Sequence, residues 1–365
     1  MITTLNRYIA WRVFLGILCA FAVITSIIML VDFVETSRNF GSDVDVSMMT
    51  MLIITCLNTP QLIEQTIPFV VLFGVMGALF TLNKHSELIV LRASGLSAWR
   101  FLKPALVVTG LIGVLWAIAF NPLAALSAQK HDHRVRLITN GKTIPNLQTD
   151  IWLREGNEDG YLAIHAKSAD IDAHKLFGVT FFYSEYDVNG RVVFSTRYDA
   201  QSAELYKSRN WVLSQVIENE DGKAPQKYET VSKSTTIDWE TLRNRSQNSK
   251  NPPFWRLRAE ITNAKQAGFN AAPLIMQFHK LLALPITLIA MAIIAAGASL
   301  NLSRGGGTLR LLIAGGALGF GVYFVDNIIS AFGETGSLPP ILAAWSVPLI
   351  VLACGLAFLS KIEDG

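Results

Sequence analysis

Charge is what this sequence most conspicuously lacks. Only 16% of its 365 residues are Asp, Glu, Lys or Arg, while 51% are hydrophobic; a soluble domain carries about a quarter of its residues as charges. The deficit argues against an ordinary water-soluble globule and for a chain that lives in lipid. The formal net charge is only +3 and no stretch is densely basic, so there is no electrostatic footprint for nucleic acid and no such partner is expected. Cysteine is scarce as well. Cys19, Cys56 and Cys354 all sit in apolar runs, with none in the polar middle of the chain, which excludes a disulfide-stapled domain. They read as small buried hydrophobes.

Catalytic motifs are missing too. The phosphate-cradling P-loop is absent: Gly141-Lys142-Thr143 has Arg136 where the leading glycine belongs, and Gly305-Gly306-Gly307-Thr308 lacks the lysine. Any ATP hydrolysis therefore belongs on another polypeptide. His131-Asp132-His133 places its histidines two apart, on different faces of a helix, with no further ligand cluster nearby. Neither a G-x-S-x-G elbow nor an H-E-x-x-H pair occurs. No enzyme activity, metal or cofactor is expected of this chain.

Long apolar runs are what it has. Arg7 and Arg12 precede a run from Val13 to Val31, longer than the core of a secretion signal and without a small-residue cleavage pattern. As a helix rising roughly 1.5 Å per residue, it reaches about the 30 Å of a hydrocarbon layer. Five more candidate spans follow: Thr66 to Leu82, Pro104 to Phe120 with its apolar continuation, Leu281 to Leu302, Leu311 to Ala331, and Leu338 to Phe358. Met48 to Leu57 is apolar but short and ends at Asn58-Thr59-Pro60, so it reads as an interfacial helix or as an extension leading into the second span.

With six spans, Arg7, Arg12, Lys84, Arg92, Arg100, Lys103, Arg304, Arg310 and Lys361 all fall on one side, and the opposite short connections hold only Arg38. Positive residues stay on the cytoplasmic side. Both termini are thus expected in the cytoplasm, and the long connection, about Ser127 to Ala272, faces outward. There, short runs alternate apolar and polar residues, as in Tyr161-Leu162-Ala163-Ile164-His165, Val179-Thr180-Phe181-Phe182-Tyr183 and Trp211-Val212-Leu213-Ser214. Turn signals at Glu158-Asp159-Gly160, Asn189-Gly190 and Asp221-Gly222 separate them. The expected fold is a membrane α-helical bundle of six spans with an inserted all-β domain, a sandwich or jellyroll. Residues 1–126 hold spans one to three, 127–272 the outward domain with a return helix from Phe254 to Ala267, and 273–365 spans four to six.

The connection between the second and third spans, residues 84–96, reads Lys84-His85-Ser86-Glu87-Leu88-Ile89-Val90-Leu91-Arg92-Ala93-Ser94-Gly95-Leu96. It is either a surface loop or a short amphipathic helix stopped by a glycine, shaped to dock into a groove on a soluble partner. At this point the sequence resembles the LptF/LptG family of lipopolysaccharide export permeases, in which an Arg- or Lys-Ser-Glu-Leu segment ending in Ala-Ser-Gly occupies the same connection. The resemblance extends along the chain, through Arg7-Tyr8-Ile9, Arg197-Tyr198-Asp199-Ala200, Gln277-Phe278-His279-Lys280, Tyr323-Phe324-Val325-Asp326 and Leu338-Pro339-Pro340. Val31-Asp32-Phe33-Val34-Glu35, closing the first span, is more similar to the LptG branch.

The resemblance implies a transport subunit in the inner membrane of a Gram-negative bacterium, forming a pseudo-symmetric heterodimer with an LptF paralogue. It also implies an LptB ATPase dimer that binds ATP and Mg, and a single-span LptC partner. Lipopolysaccharide would be extracted from the inner membrane and passed along periplasmic β-jellyroll domains towards the outer membrane. The ATPase-coupling residues implied are Ser86, Glu87, Leu88, Arg92 and Gly95, with Glu87 contacting the ATPase.

Burying an ionisable group in a membrane costs several kcal/mol, so such groups are functional candidates. Asp32, Glu35, Glu64, Lys280 and Asp326 qualify; reaching for the outer interface is the plain alternative for Asp32, Glu35 and Lys280, and a helix–helix hydrogen bond for Asp326. Some family members carry basic residues at the outward end of the first helix for the phosphates of lipid A. This chain departs from them with Met29 and Thr36 there, leaving Arg38 as the nearby cation. The candidate substrate-binding residues are therefore Asp32, Arg38, Lys280 and Asp326, with Arg38 and Lys280 supplying part of the positive charge. A non-transporting membrane scaffold is the competing reading, but it has no need of a glycine-stopped coupling segment. Permeases that release lipoproteins usually carry their large domain after the first span, whereas here it follows the third.

Overall fold

The computed structural model describes residues 4–40, 47–87, 90, 97–139, 147–157, 160–170, 174–186, 192–206, 210–220, 223–235, 252–266, 270–300 and 308–364. The chain divides into two compact units, Met1–Arg134 with Pro252–Arg258 and Ala272–Gly365, and Val135–Asn251 with Ala259–Ala271.

The first unit is helical. Its rods are α1 (Thr4–Phe40), α2 (Met48–Lys84), α3 (Ala98–Leu115), α6 (Ala272–Leu300), α7 (Thr308–Glu334) and α8 (Pro340–Asp364). A single π turn, Trp116–Phe120, carries α3 on into α4 (Asn121–Thr139), and α5 (Phe254–Gln266) is the return helix. Among the described residues, six spans are long and apolar enough to cross a membrane: Thr4–Arg38, Met48–Lys84, Trp99–Val135, Ala272–Ser299, Ile313–Glu334 and Pro340–Lys361. The short apolar stretch at Met48 is the extension of the second span. The helix runs through Pro60, because a proline's lost backbone bond is tolerated where neighbouring helices and hydroxyls take up the freed groups. Beside it, Thr59 Oγ1 donates to Thr55 O at 2.7 Å.

The second and fourth spans form the centre, each 56% enclosed, against 11% of the first and 17% of the fifth. Val70, Val71, Leu72, Val75 and Leu79 of α2 meet Leu288, Ala292 and Ala296 of α6 in one apolar cluster. Against this centre α1 packs backbone to backbone. A Cβ placed on Gly74 would lie 2.5 Å from Ile17 Cα, and one on Gly16 would lie 2.5 Å from Gly74 O, so only glycine at both positions permits the approach.

The second unit is a six-stranded antiparallel sheet, β1 (Leu147–Asn157), β2 (Gly160–Asp170), β3 (Lys175–Tyr186), β4 (Val192–Tyr206), β5 (Asn210–Glu220) and β6 (Gln226–Ser234), in that spatial order. The alternating runs read from sequence are strands, while Glu158-Asp159, Asn189-Gly190 and Asp221-Gly222 lie outside the described residues. Burial alternates along β3, β4 and β5, but in each the phase slips near the middle of the sheet. Leu176 is followed by Val179 and Phe181, Ala200 by Ala203 and Leu205, and Leu213 by Val216. The slips fall at Gly178, Gln201 and Gln215, which lie opposite one another across the sheet. Gly178 and Gln215 have φ of 59° and 52°, a left-handed conformation that is cheap for glycine and strained for glutamine.

This line is a crease. Phe181 pairs with Tyr198, and Trp211 with Leu205; in a flat sheet the two pairs would stand roughly 23 Å apart along β4 at about 3.3 Å per residue. Instead the Phe181 and Trp211 rings meet edge to face at 6.0 Å, and Lys233 Nζ reaches Tyr198 Oη at 3.0 Å. The sheet has folded over on itself. Its two limbs enclose Leu162, Ile164, Phe181, Leu205, Trp211 and Leu213, which is how one strand meander makes a two-layered β domain. Along the seam Tyr198 Oη donates to Glu218 Oε1 at 2.7 Å. Burial, then Glu218, hold that phenol's pKa well above its ordinary value.

Candidate functional site

The connection after the second span begins with a sharp elbow. The backbone N–H groups of His85 and Ser86 donate to Thr81 O and Asn83 O, and Val90 N–H donates to Ser86 O at 3.0 Å. Ser86 between them takes φ 60°, the left-handed conformation that ends helices, so α2 stops and a new helical turn starts at Glu87. Leu88, Arg92 and Gly95 lie outside the described residues.

The Glu87 carboxylate is held from α1. Tyr8 Oη stands 3.0 and 3.2 Å from its two oxygens, and Arg12 Nε donates to the same phenol oxygen at 3.0 Å. The Arg12 guanidinium also lies 5.2 Å from the centre of the Tyr8 ring. A groove of about 580 Å³ opens beside this cluster between α1 and α2, lined by Arg12, Gly16, Ala20, Phe73, Gly74 and Gly77 among others.

The four substrate candidates fall into two places. Lys280 of α6 and Asp326 of α7 form an ion pair at 3.6 Å, beside a small cavity of about 30 Å³ that Asp326 lines with Pro68, Thr287, Tyr323 and Pro348. The charge on Lys280 is thus compensated within the chain. Asp32 and Arg38 both lie on α1. Asp32 is buried, one oxygen accepting from Asn58 Nδ2 at 2.8 Å and the other enclosed without a hydrogen-bond partner among the described residues. Arg38 is exposed near the helix end.

Sequence reasoning missed the partners. By sequence alone, Asn58 belongs to a local break before Pro60, Tyr8 to a short motif, and Arg12 to the cytoplasmic charges. Asn121 went unremarked, although its Nδ2 donates to Glu64 Oε1 at 2.6 Å and its Oδ1 accepts from the Phe254 backbone N–H at 2.8 Å. One amide thereby satisfies a half-buried acid on α2 and the first turn of the return helix. A polar residue after a run of apolar ones, Ala117 to Phe120, was the available signal for it.

A family model described as lipopolysaccharide export system permease LptF/LptG matches residues 7–361. The chain is 21% identical over 374 residues to the lipopolysaccharide export system permease protein LptG of Haemophilus influenzae, covering all of both chains. It is 22% identical over 348 residues to the protein of the same name from Escherichia coli K12, covering 93% of each. Length, span number and inserted β domain agree with a match that runs nearly end to end, and the chain belongs to the LptF/LptG family of lipopolysaccharide export permeases, on its LptG-like side.

Proposed function

We propose that this multi-pass inner-membrane permease is one half of a pseudo-symmetric pair with an LptF paralogue that extracts lipopolysaccharide and delivers it to a periplasmic bridge. ATP and Mg are bound by a separate LptB dimer that docks on the connection 84–96, and LptC completes the assembly. The termini face the cytoplasm and the β domain the periplasm, as the distribution of basic residues supports.

The observation that carries the reading is the uneven covering of the spans. Leu18, Val23, Ile27, Leu30 and Val34 of α1, and Leu318, Phe320 and Phe324 of α7, are large, apolar and exposed. Half a cavity wall has this character, and a second, similar subunit facing it would close a chamber around acyl chains. Arg38 remains open at one end of α1 for a lipid A phosphate, with Lys280 contributing when Asp326 releases it.

Two experiments test this. Co-purification of the chain with its ATPase, followed by ATP-driven lipopolysaccharide release from liposomes, should fail for Glu87→Arg; intact assembly and release would remove the coupling role of the connection. Lipopolysaccharide crosslinking should weaken for Arg38→Ala combined with Lys280→Ala. Asp326→Asn is added so that no unpaired carboxylate is left in the bundle, and unchanged crosslinking would remove the substrate role of these cations.

A further inference from the structure

The Glu87 cluster is directional. Arginine only donates and a carboxylate only accepts, so the Tyr8 hydroxyl must accept from Arg12 and donate to Glu87. The chain of donors therefore runs Arg12 to Tyr8 to Glu87, over 3.0 Å at each closest step, and each bond polarises the next. One phenol proton shared between the two carboxylate oxygens leaves their outward lone pairs free for a cation on a partner. At an exposed surface such a chain adds little to stability; what it supplies is geometry.

The geometry is that of a brace across an elbow. Ser86, in its left-handed conformation, is the joint between α2 and the segment that follows. Tyr8 belongs to a different helix and grips that segment one residue beyond the joint. One turn further along α1 lies Arg12, and one more brings Gly16, where the α1 and α2 backbones touch. At the far end Asn58 holds Asp32 at 2.8 Å. From Tyr8 to Asp32 is about 36 Å of helix at roughly 1.5 Å per residue, enough to cross the bilayer. We propose that Tyr8 is a positioning residue that locks the Ser86 elbow, so that displacement of the ATPase-docked segment enters α1 and α2 as one lever. This rests on the reading that an ATPase docks at Glu87.

The test separates the brace from the docking. In a background with Cys19, Cys56 and Cys354 replaced by serine, spin labels are placed at Trp11→Cys and Val90→Cys, both exposed positions. Their distance distribution is measured in the assembled complex, with and without Tyr8→Phe. The same Tyr8→Phe complex is assayed for ATP hydrolysis and lipopolysaccharide release. The expected result is a broadened distribution, hydrolysis within about twofold of the unsubstituted complex, and release per ATP reduced about threefold, the scale of one exposed charge-assisted contact. An unbroadened distribution overturns the brace, and a broadened one with undiminished release per ATP overturns its part in coupling. Arg12→Gln, which spares the Tyr8–Glu87 bond, should show a smaller effect of the same kind; a larger one would place the linkage in Arg12 and overturn the role of Tyr8. If Glu87→Arg leaves the ATPase attached and release normal, the docking reading falls, and the lever with it, whatever Tyr8→Phe does to the distances.

Discussion

At Gly74 a methyl group would fall 2.5 Å from the Ile17 Cα, and backbone cannot rotate out of the way as a side chain can. Gly74→Ala should force α1 off α2 and lower the thermal midpoint of the purified protein by several degrees, whereas Gly77→Ala, where a Cβ meets nothing within 4 Å, should leave it unchanged. Trp211 offers a different contrast. It is fully enclosed between the limbs of the β domain, yet its indole N–H has no hydrogen-bond partner among the described residues. Trp211→Ala should cost about 3–5 kcal/mol by leaving a cavity. Trp211→Phe should cost far less, because losing part of the ring is offset by removing an unsatisfied donor; chemical denaturation followed by β-sheet circular dichroism compares the two. The identity of such residues was legible in the sequence, but their consequence was not. Nothing in the order of residues distinguishes Gly74 from Gly77, because the close approach depends on how α1 crosses α2.

Among the elements, the helices were read well because apolar length alone marks a span. Their ends were less legible. The stretch before Pro60 left an interfacial helix and an extension of the second span both open, and Pro60 is interior to α2, since tertiary neighbours override a local breaker in lipid. The strands were legible from alternation, whereas the crease was not, because a one-residue phase slip in a single strand looks like noise. It becomes a feature only when the slips at Gly178, Gln201 and Gln215 line up. Of the candidate site, Glu87, Lys280 and Asp326 stood out by chemistry, while Tyr8, Asn58 and Asn121 are defined by what they touch. Asn121→Ala should therefore cost about 2 kcal/mol, leaving half-buried Glu64 without its donor and the first N–H of α5 without an acceptor. Asn121→Asp, which sets a second carboxyl against Glu64, should be worse by the same thermal assay. In the β domain, the hydrogen bond from Lys175 holds the Glu204 carboxyl below its usual range. A lowered folded value means that the contribution is complete above the unfolded value and is lost as pH falls through the folded one. The stability gap between the unsubstituted protein and Glu204→Gln should accordingly close as pH is lowered from about 6 to about 3.

Taken whole, the helical unit is asymmetric, with its centre at the second and fourth spans and apolar rims at the first and fifth. A binding partner that covers those rims stabilises the folded chain by mass action. Co-expression with the LptF paralogue proposed above should raise the thermal midpoint and sharpen the elution profile relative to the chain alone. If neither changes, the rims face lipid in the assembled transporter, and the chamber must be enclosed elsewhere.

Every strand of the β domain pairs with the strand before it, which sets a timetable. As the chain is made, each new strand can zip onto the last with no distant segment to await. The meeting of Phe181 with Trp211 requires β5, so four strands can pair before the two limbs close, like a book folding on its spine.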